Sequence, residues 1–208
     1  MSVISNNQDS PAPLKIGITG GIGSGKTTAC RIFAAMGIPI YYADERAKDL
    51  MVNNLTVVAK LKSLFGKNAY LPDGRLHRQH ISAIVFNNKK MLEKLNAIVH
   101  PAVHEDGIAW QIAQKNVPYT IKEAALLFET SSDKALDKVI TVFAPKEVRL
   151  ERVIARDESN RAAVEARMDK QMDDFKKMHL ADFVIFNDGK RPLIPQIHRL
   201  HQRILKLI

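Results

Sequence analysis

The sequence predicts an α/β fold, a mainly parallel sheet of five strands covered by helices on both faces, with a glycine loop between the first strand and the first helix. Three observations carry this expectation. Short apolar runs at Leu14 to Thr19, Ile38 to Tyr42, Tyr119 to Ile121, Val139 to Phe143 and Asp182 to Phe186 alternate with stretches of helical periodicity. Gly20-Gly21-Ile22-Gly23-Ser24-Gly25-Lys26-Thr27 fits the pattern of Gly, four residues, Gly-Lys and then Ser or Thr. A helical block too long for a simple crossover separates the second apolar run from the third and suggests an inserted helical lobe.

Residues 1 to 13 are polar, contain Pro11 and Pro13, and lack the basic start and long apolar run of a signal peptide, so they are expected to form a disordered extension. The glycines after the first strand let several N–H groups turn toward one anion, and the helix beginning near Lys26 adds the positive end of its dipole. Such a cradle suits polyphosphate. Lys26 would bridge the terminal phosphates, and the Thr27 hydroxyl would take one coordination site on magnesium. Ala29, Ile32, Phe33 and Met36 then recur at helical spacing, and Gly37 tolerates the left-handed conformation at a helix end. Cys30 is the single cysteine, which excludes an intrachain disulfide, and its place suits helix packing.

The second strand delivers Ala43-Asp44 at its carboxyl end, where open parallel sheets hold their ligands. Asp44 is thus a candidate site residue, with the cap of a helix starting at Glu45 as the equal alternative. From Glu45 to Asn116 the pattern is helical almost throughout. Val57, Val58, Leu61, Leu64 and Phe65 form one stripe ended by Gly66, and Met91, Leu92, Leu95, Ile98 and Val99 form another before a helix break at His100-Pro101. Pro72-Asp73-Gly74 is a turn between them. His100 reads either as a local structural partner or as a site residue.

Glu123, at the end of the third strand, is placed to hold the hydration shell of magnesium, with an ordinary surface charge as the alternative. Ala144-Pro145 opens the next helix, where proline is tolerated in the first turn. Arg149, Arg152 and Arg156 fall at i, i+3 and i+7 and share one face of it. Arginine forks match phosphate oxygens and keep their charge, which suits phosphoryl transfer, while Glu151, Asp157 and Glu158 offer competing partners on a solvated face. Arg161, Arg167 and Lys170 extend the basic region through Ala162 to Met178, read as the second half of a mobile lid. Asn187-Asp188-Gly189 turns the chain after the fifth strand, and Leu193, Ile197, Leu200 and Ile204 mark a final amphipathic helix.

Composition narrows the function. With 208 residues, 46% hydrophobic and 25% charged, the chain suits one compact soluble domain with a lobe. No apolar run approaches the length of a membrane span. The formal charge of +9 raises nucleic acid as a partner, but the basic residues are scattered and aromatics reach only 6%, so no platform for stacking bases is present. A reducing cytoplasm is the expected setting.

Gly20 to Thr28, Ala43-Asp44, His100-Pro101, Leu126-Leu127-Phe128-Glu129, Arg152 with Arg156, and Ala181-Asp182 with Asn187, in that order, resemble the dephospho-CoA kinase family from about Leu14 to the end. The resemblance implies a fold of the P-loop nucleoside triphosphate hydrolase type, similar to nucleoside monophosphate kinases. Its core would be residues 14–44, 117–148 and 180–208, with a helical acceptor lobe at about 45–116 and a lid at about 149–179. It also implies that ATP, with Mg2+, phosphorylates the 3′-hydroxyl of the ribose of dephospho-CoA, in a monomer or weak homo-oligomer that needs neither nucleic acid nor membrane. On that resemblance Gly23, Ser24, Gly25, Lys26, Thr27 and Thr28 bind ATP. Asp44 orients or deprotonates the acceptor hydroxyl, and Arg152 and Arg156 approach the phosphates from the lid. Members often carry Asp-Ala-Asp where this chain has Tyr42-Ala43-Asp44, so Asp44 must serve without a near carboxylate. They often carry Asp and Pro where this chain has Glu123 and Ala125. The competing readings are a nucleoside or nucleotide kinase and a P-loop nucleotide-dependent binding protein. The latter is opposed by the missing Asn-Lys-x-Asp segment and by an arginine face supplied in the same chain.

Overall fold

A computed structural model describes residues 12–86 and 88–208, and the expected extension at 1 to 13 lies outside the described residues apart from Ala12 and Pro13. The five strands are β1 (Leu14–Thr19), β2 (Ile40–Tyr42), β3 (Tyr119–Glu123), β4 (Lys138–Phe143) and β5 (Phe183–Phe186). They lie in one sheet in the order β2-β3-β1-β4-β5. β1 pairs in parallel with β3 and β4, and β4 in parallel with β5, which places Ile16 beside Ile121 on one side and Lys138 on the other. The glycine loop therefore springs from the middle strand, at the carboxyl edge where parallel strands end together. β2 is shorter than expected and begins only after Pro39, whose carbonyl accepts from Ile121 N–H at 2.9 Å. β3 runs two residues longer than the sequence reading, through Lys122 to Glu123.

Helix α1 (Lys26–Ala35) buries Ala29, Cys30 and Phe33. It ends at Gly37, with φ of 84°, where Gly37 N–H bonds to Ala34 O and Ile38 N–H to Phe33 O, the paired bonds of a left-handed C-terminal cap. Further along come α6 (Lys146–Asp157), α7 (Arg161–Met168), α8 (Asp174–Leu180) and α9 (Leu193–Leu205). α9 buries Ile197, Leu200 and Ile204, the face that its spacing predicts, and packs beside α1.

The chain divides into two compact units, Met1–Ile40 with Ala113–Ile208, and Tyr41–Ile112. The second is helical, with α2 (Ala43–Asn53), α3 (Leu55–Phe65), α4 (Arg78–Phe86) and most of α5 (Lys89–Ala113). Its core joins Val57, Leu61, Phe65, Ala69 and Ile81, with Met91, Leu95, Ile98 and Ala102 packed against it. Tyr41 donates to Asp106 at 2.7 Å, and Arg46 pairs with the same carboxylate at 2.6 Å. The Arg46 guanidinium holds the Asp106 carboxyl below its ordinary range.

Two expectations change here. The break at His100-Pro101 does not occur, because α5 continues through Pro101. Proline there forfeits one backbone bond, yet Ile98 and Ala102 on either side pack on the same core, and that packing outweighs the lost bond. His100 itself is exposed. The helix expected to start at Glu45 starts at Ala43, so Asp44 lies inside its first turn rather than at the capping position.

Candidate active site

The loop geometry follows from its glycines. Gly20 (φ 149°) lies against the Val142 carbonyl of β4, where a Cβ would overlap it, and Gly25 (φ 92°) lies against Asn187 Nδ2 in the same way. Neither position admits a side chain, and neither backbone conformation suits one. The loop is further held by a turn, Ser24 N–H to Gly21 O at 3.0 Å, and by Asn187 Nδ2 donating to Ser24 O at 2.8 Å.

Lys26 and Thr27 open α1. The Lys26 ammonium donates to the Gly20 carbonyl at 2.9 Å, so it arches back over the loop. The Thr27 hydroxyl donates to Glu123 Oε1 at 3.0 Å. The two residues predicted to serve magnesium are thus in contact at the carboxyl edge of the sheet. Among the described residues no cluster of three or more His, Cys, Asp or Glu forms a dedicated metal cage. Thr28 is exposed one position further on. Ser24 Oγ is buried and has no hydrogen-bond partner among the described residues, an unfilled polar atom inside the loop. A triphosphate at this loop fits that donor, the permissive backbone and the nearby ammonium.

Behind the loop, burial pushes the Cys30 thiol well above its ordinary pKa, and the Glu123 charge adds to the effect. That thiol stays protonated and is a packing group. Burial likewise lowers the Lys122 ammonium.

The arginines of α6 do not act as one face. Arg149 is buried, donates to the carbonyls of Ala144 and Ile22 and pairs with Asp174. Arg152 donates to the Asn187 carbonyl at 3.0 Å, and Asn187 in turn holds Ser24, so Arg152 reaches the loop through one intermediary. Arg156 points elsewhere, into an ion pair with Asp157 at 2.6 Å that Arg167 joins at 2.8 Å. First Arg156 and then Arg167 hold the Asp157 carboxyl far below its usual range. Asp44 belongs to the other unit, exposed in the first turn of α2.

Sequence reasoning missed several residues around the loop. Gln171 and Asp174 accept from the N–H groups of Ile22 and Gly21. Lys177 of α8 is wholly buried, pairs with Glu129 at 2.9 Å and donates to the Ala125 carbonyl. Burial alone would raise the Glu129 carboxyl, but the Lys177 hydrogen bond and the Met172 N–H outweigh it and hold it low. The segment Leu126 to Glu129 is thereby fastened to α8. Nothing in the local sequence marks Lys177, because α8 buries no apolar residue beside it.

The chain is similar to known proteins over most of its length. A family model described as dephospho-CoA kinase matches residues 14–192. A dephospho-CoA kinase of Chlorobaculum tepidum is 39% identical over 205 residues, covering 94% of this chain and 97% of its own. Among solved structures, a Thermus thermophilus protein superposes with a TM-score of 0.80 at 32% identity over 94% of this chain and 98% of its own. Dephospho-CoA kinase from Campylobacter jejuni does so with a TM-score of 0.70 at 30% identity, covering 92% and 97%. A match that runs from β1 almost to the last helix takes in the loop, the inserted helices and the segment that packs over the loop, so this chain belongs to the dephospho-CoA kinase family.

Proposed function

We propose that this chain transfers the γ-phosphoryl group of ATP to the 3′-hydroxyl of the ribose of dephospho-CoA, giving coenzyme A and ADP. The observation that carries the reading is the family match over residues 14–192, and the loop geometry supports the donor half independently. The hydroxyl oxygen attacks the γ-phosphorus, the bond from that phosphorus to the bridging oxygen of ADP breaks, and the hydroxyl proton leaves.

Gly23, Ser24, Gly25, Lys26, Thr27 and Thr28 are proposed to hold the triphosphate, with Lys26 following the charge that moves toward the leaving oxygen. Thr27 and Glu123, 3.0 Å apart, would hold Mg2+, Glu123 by way of water. When bound, Mg2+ supplies charge neutralisation at the β- and γ-oxygens. Asp44 is proposed to orient or deprotonate the acceptor hydroxyl. Because the transition state is loose, orientation is its larger contribution. Arg152 is proposed to approach the transferring group. Arg156 is proposed to contact phosphate after exchanging Asp157 for it, and residues 149–179 to form the lid.

The same reading includes a cytoplasmic setting, in keeping with the single buried thiol, and action as a monomer or weak homo-oligomer. Among the described residues no helix is long and apolar enough to cross a membrane. The test is magnesium-dependent ADP release on addition of dephospho-CoA, with a panel of nucleosides and nucleotides as competing acceptors. Release driven by a nucleoside and not by dephospho-CoA would replace this reading with a nucleoside kinase.

A further inference from the structure

Three backbone groups at the start of the loop end on side chains from α6 and the stretch after α7. Asp174 Oδ1 accepts from Gly21 N–H at 3.2 Å, and Gln171 Oε1 accepts from Ile22 N–H at 2.7 Å. Arg149 Nη1 donates to the Ile22 carbonyl at 3.2 Å, while its Nε donates to the Ala144 carbonyl at 3.1 Å and its second Nη pairs with Asp174. Side-chain exposure is 7% for Arg149 and 15% for Asp174, so this clasp is shielded from water. A Cβ on Gly21 would overlap Arg149 Nη1, which shows how closely the guanidinium sits on the backbone.

We propose that Arg149, Gln171 and Asp174 are positioning residues for the phosphate donor. They fix the backbone of Gly21-Ile22 and so set the direction in which the following N–H groups, from Gly23 to Lys26, face the triphosphate. A loop with positive φ at Gly20, Gly23 and Gly25 has many accessible shapes, and binding an anion to it loses affinity for every shape that must be given up. The three held groups belong to three successive peptide planes, Gly20–Gly21, Gly21–Ile22 and Ile22–Gly23, and restraint on all three removes that freedom beforehand. The charge on Arg149 and Asp174 strengthens the restraint, because hydrogen bonds with an ionised partner are the stronger kind. None of the three need touch the nucleotide.

The clasp also joins the loop to the segment read here as the lid, since Gln171 and Asp174 lie 149 and 153 residues beyond the groups they hold. A cavity of about 300 Å³ adjoins it, lined by Lys146, Asp169, Met172 and the three clasp residues. Water entering there can solvate the Ile22 N–H left by a shortened Gln171, so that variant keeps its fold and loses only the restraint.

The proposal rests on ATP as the donor, and it is tested without the acceptor. ATP binding to the full chain is measured by titration calorimetry for the wild type, Gln171→Ala, Asp174→Ala and Asp174→Asn, alongside KM for both substrates and melting temperature. Gln171→Ala and Asp174→Ala are expected to weaken ATP about tenfold or more, with KM for dephospho-CoA within about twofold of wild type. Asp174→Asn, which keeps an acceptor for Gly21 N–H, should recover part of the loss. ATP affinity within about twofold of wild type in both alanine variants overturns the proposal, as does an equal loss for both substrates that tracks the melting temperature. Should Asp174→Ala fail to fold, Gln171→Ala decides, since Gln171 takes part in the clasp through a neutral side chain. A wild type that binds ATP yet leaves dephospho-CoA untouched would refute the reaction and leave this test intact, whereas one that binds no ATP overturns both.

Discussion

Lys177 and Glu129 stake a buried charge on a single ion pair. The ammonium is wholly buried and its partner is 20% exposed, so removing either leaves a charge without compensation. Lys177→Met is expected to destabilise the protein by about 3–5 kcal/mol in urea unfolding, and adding Glu129→Gln to it should recover part of that. The pH dependence has a definite sign. A carboxyl held low in the folded state contributes stability that is full above its ordinary value of 4.5 and is lost as pH falls through the folded value. The urea midpoint of the wild type should therefore fall as the pH drops below 4.5, and that of Glu129→Gln should fall less. Asp44 makes the opposite kind of prediction. Asp44→Asn is expected to depress kcat about a hundredfold or more while ATP affinity and melting temperature stay near wild type. A lower melting temperature with activity retained would assign Asp44 to helix α2 alone.

At the scale of elements, the strand, loop and helix from Leu14 to Gly37 were legible because the signals that mark them are local: apolar run, glycine spacing, helical stripe and C-terminal glycine. Lys26→Ala should accordingly lower kcat about a hundredfold or more, read as ADP release at saturating substrates. Helix α5 was misread at Pro101 for the complementary reason. Local chemistry says that proline ends a helix, but the packing that carries α5 through it involves α3 and α4, and no window around Pro101 contains those residues. Pro101→Ala should then stabilise the fold by about 1–3 kcal/mol in thermal unfolding, since it restores a backbone bond at an exposed position. The arginine face of α6 was misread similarly. Spacing put Arg149, Arg152 and Arg156 together, but Asp174, Asn187 and Asp157 send them to three destinations.

For the whole molecule, the sheet and the family were legible while the fastening of the site was not. Some of the basic residues are engaged by carboxylates within the fold, at Asp106, Asp157, Asp174 and Glu129. Because ATP is proposed to bind the folded chain alone, ATP with magnesium at about a hundred times its dissociation constant should stabilise the protein by about 2.7 kcal/mol, visible as a rise in melting temperature that Lys26→Ala abolishes.

The bond between Asn187 and Ser24 spans 163 residues, and that between Glu123 and Thr27 spans 96. On the ribosome the glycine loop emerges well before the residues that shape it. β1 also waits for β3 and β4 before it has neighbours on either side. Nucleotide recognition is therefore acquired only once Asn187 has been made, and a chain halted before Asn187 should expose the complete loop sequence without retaining ATP.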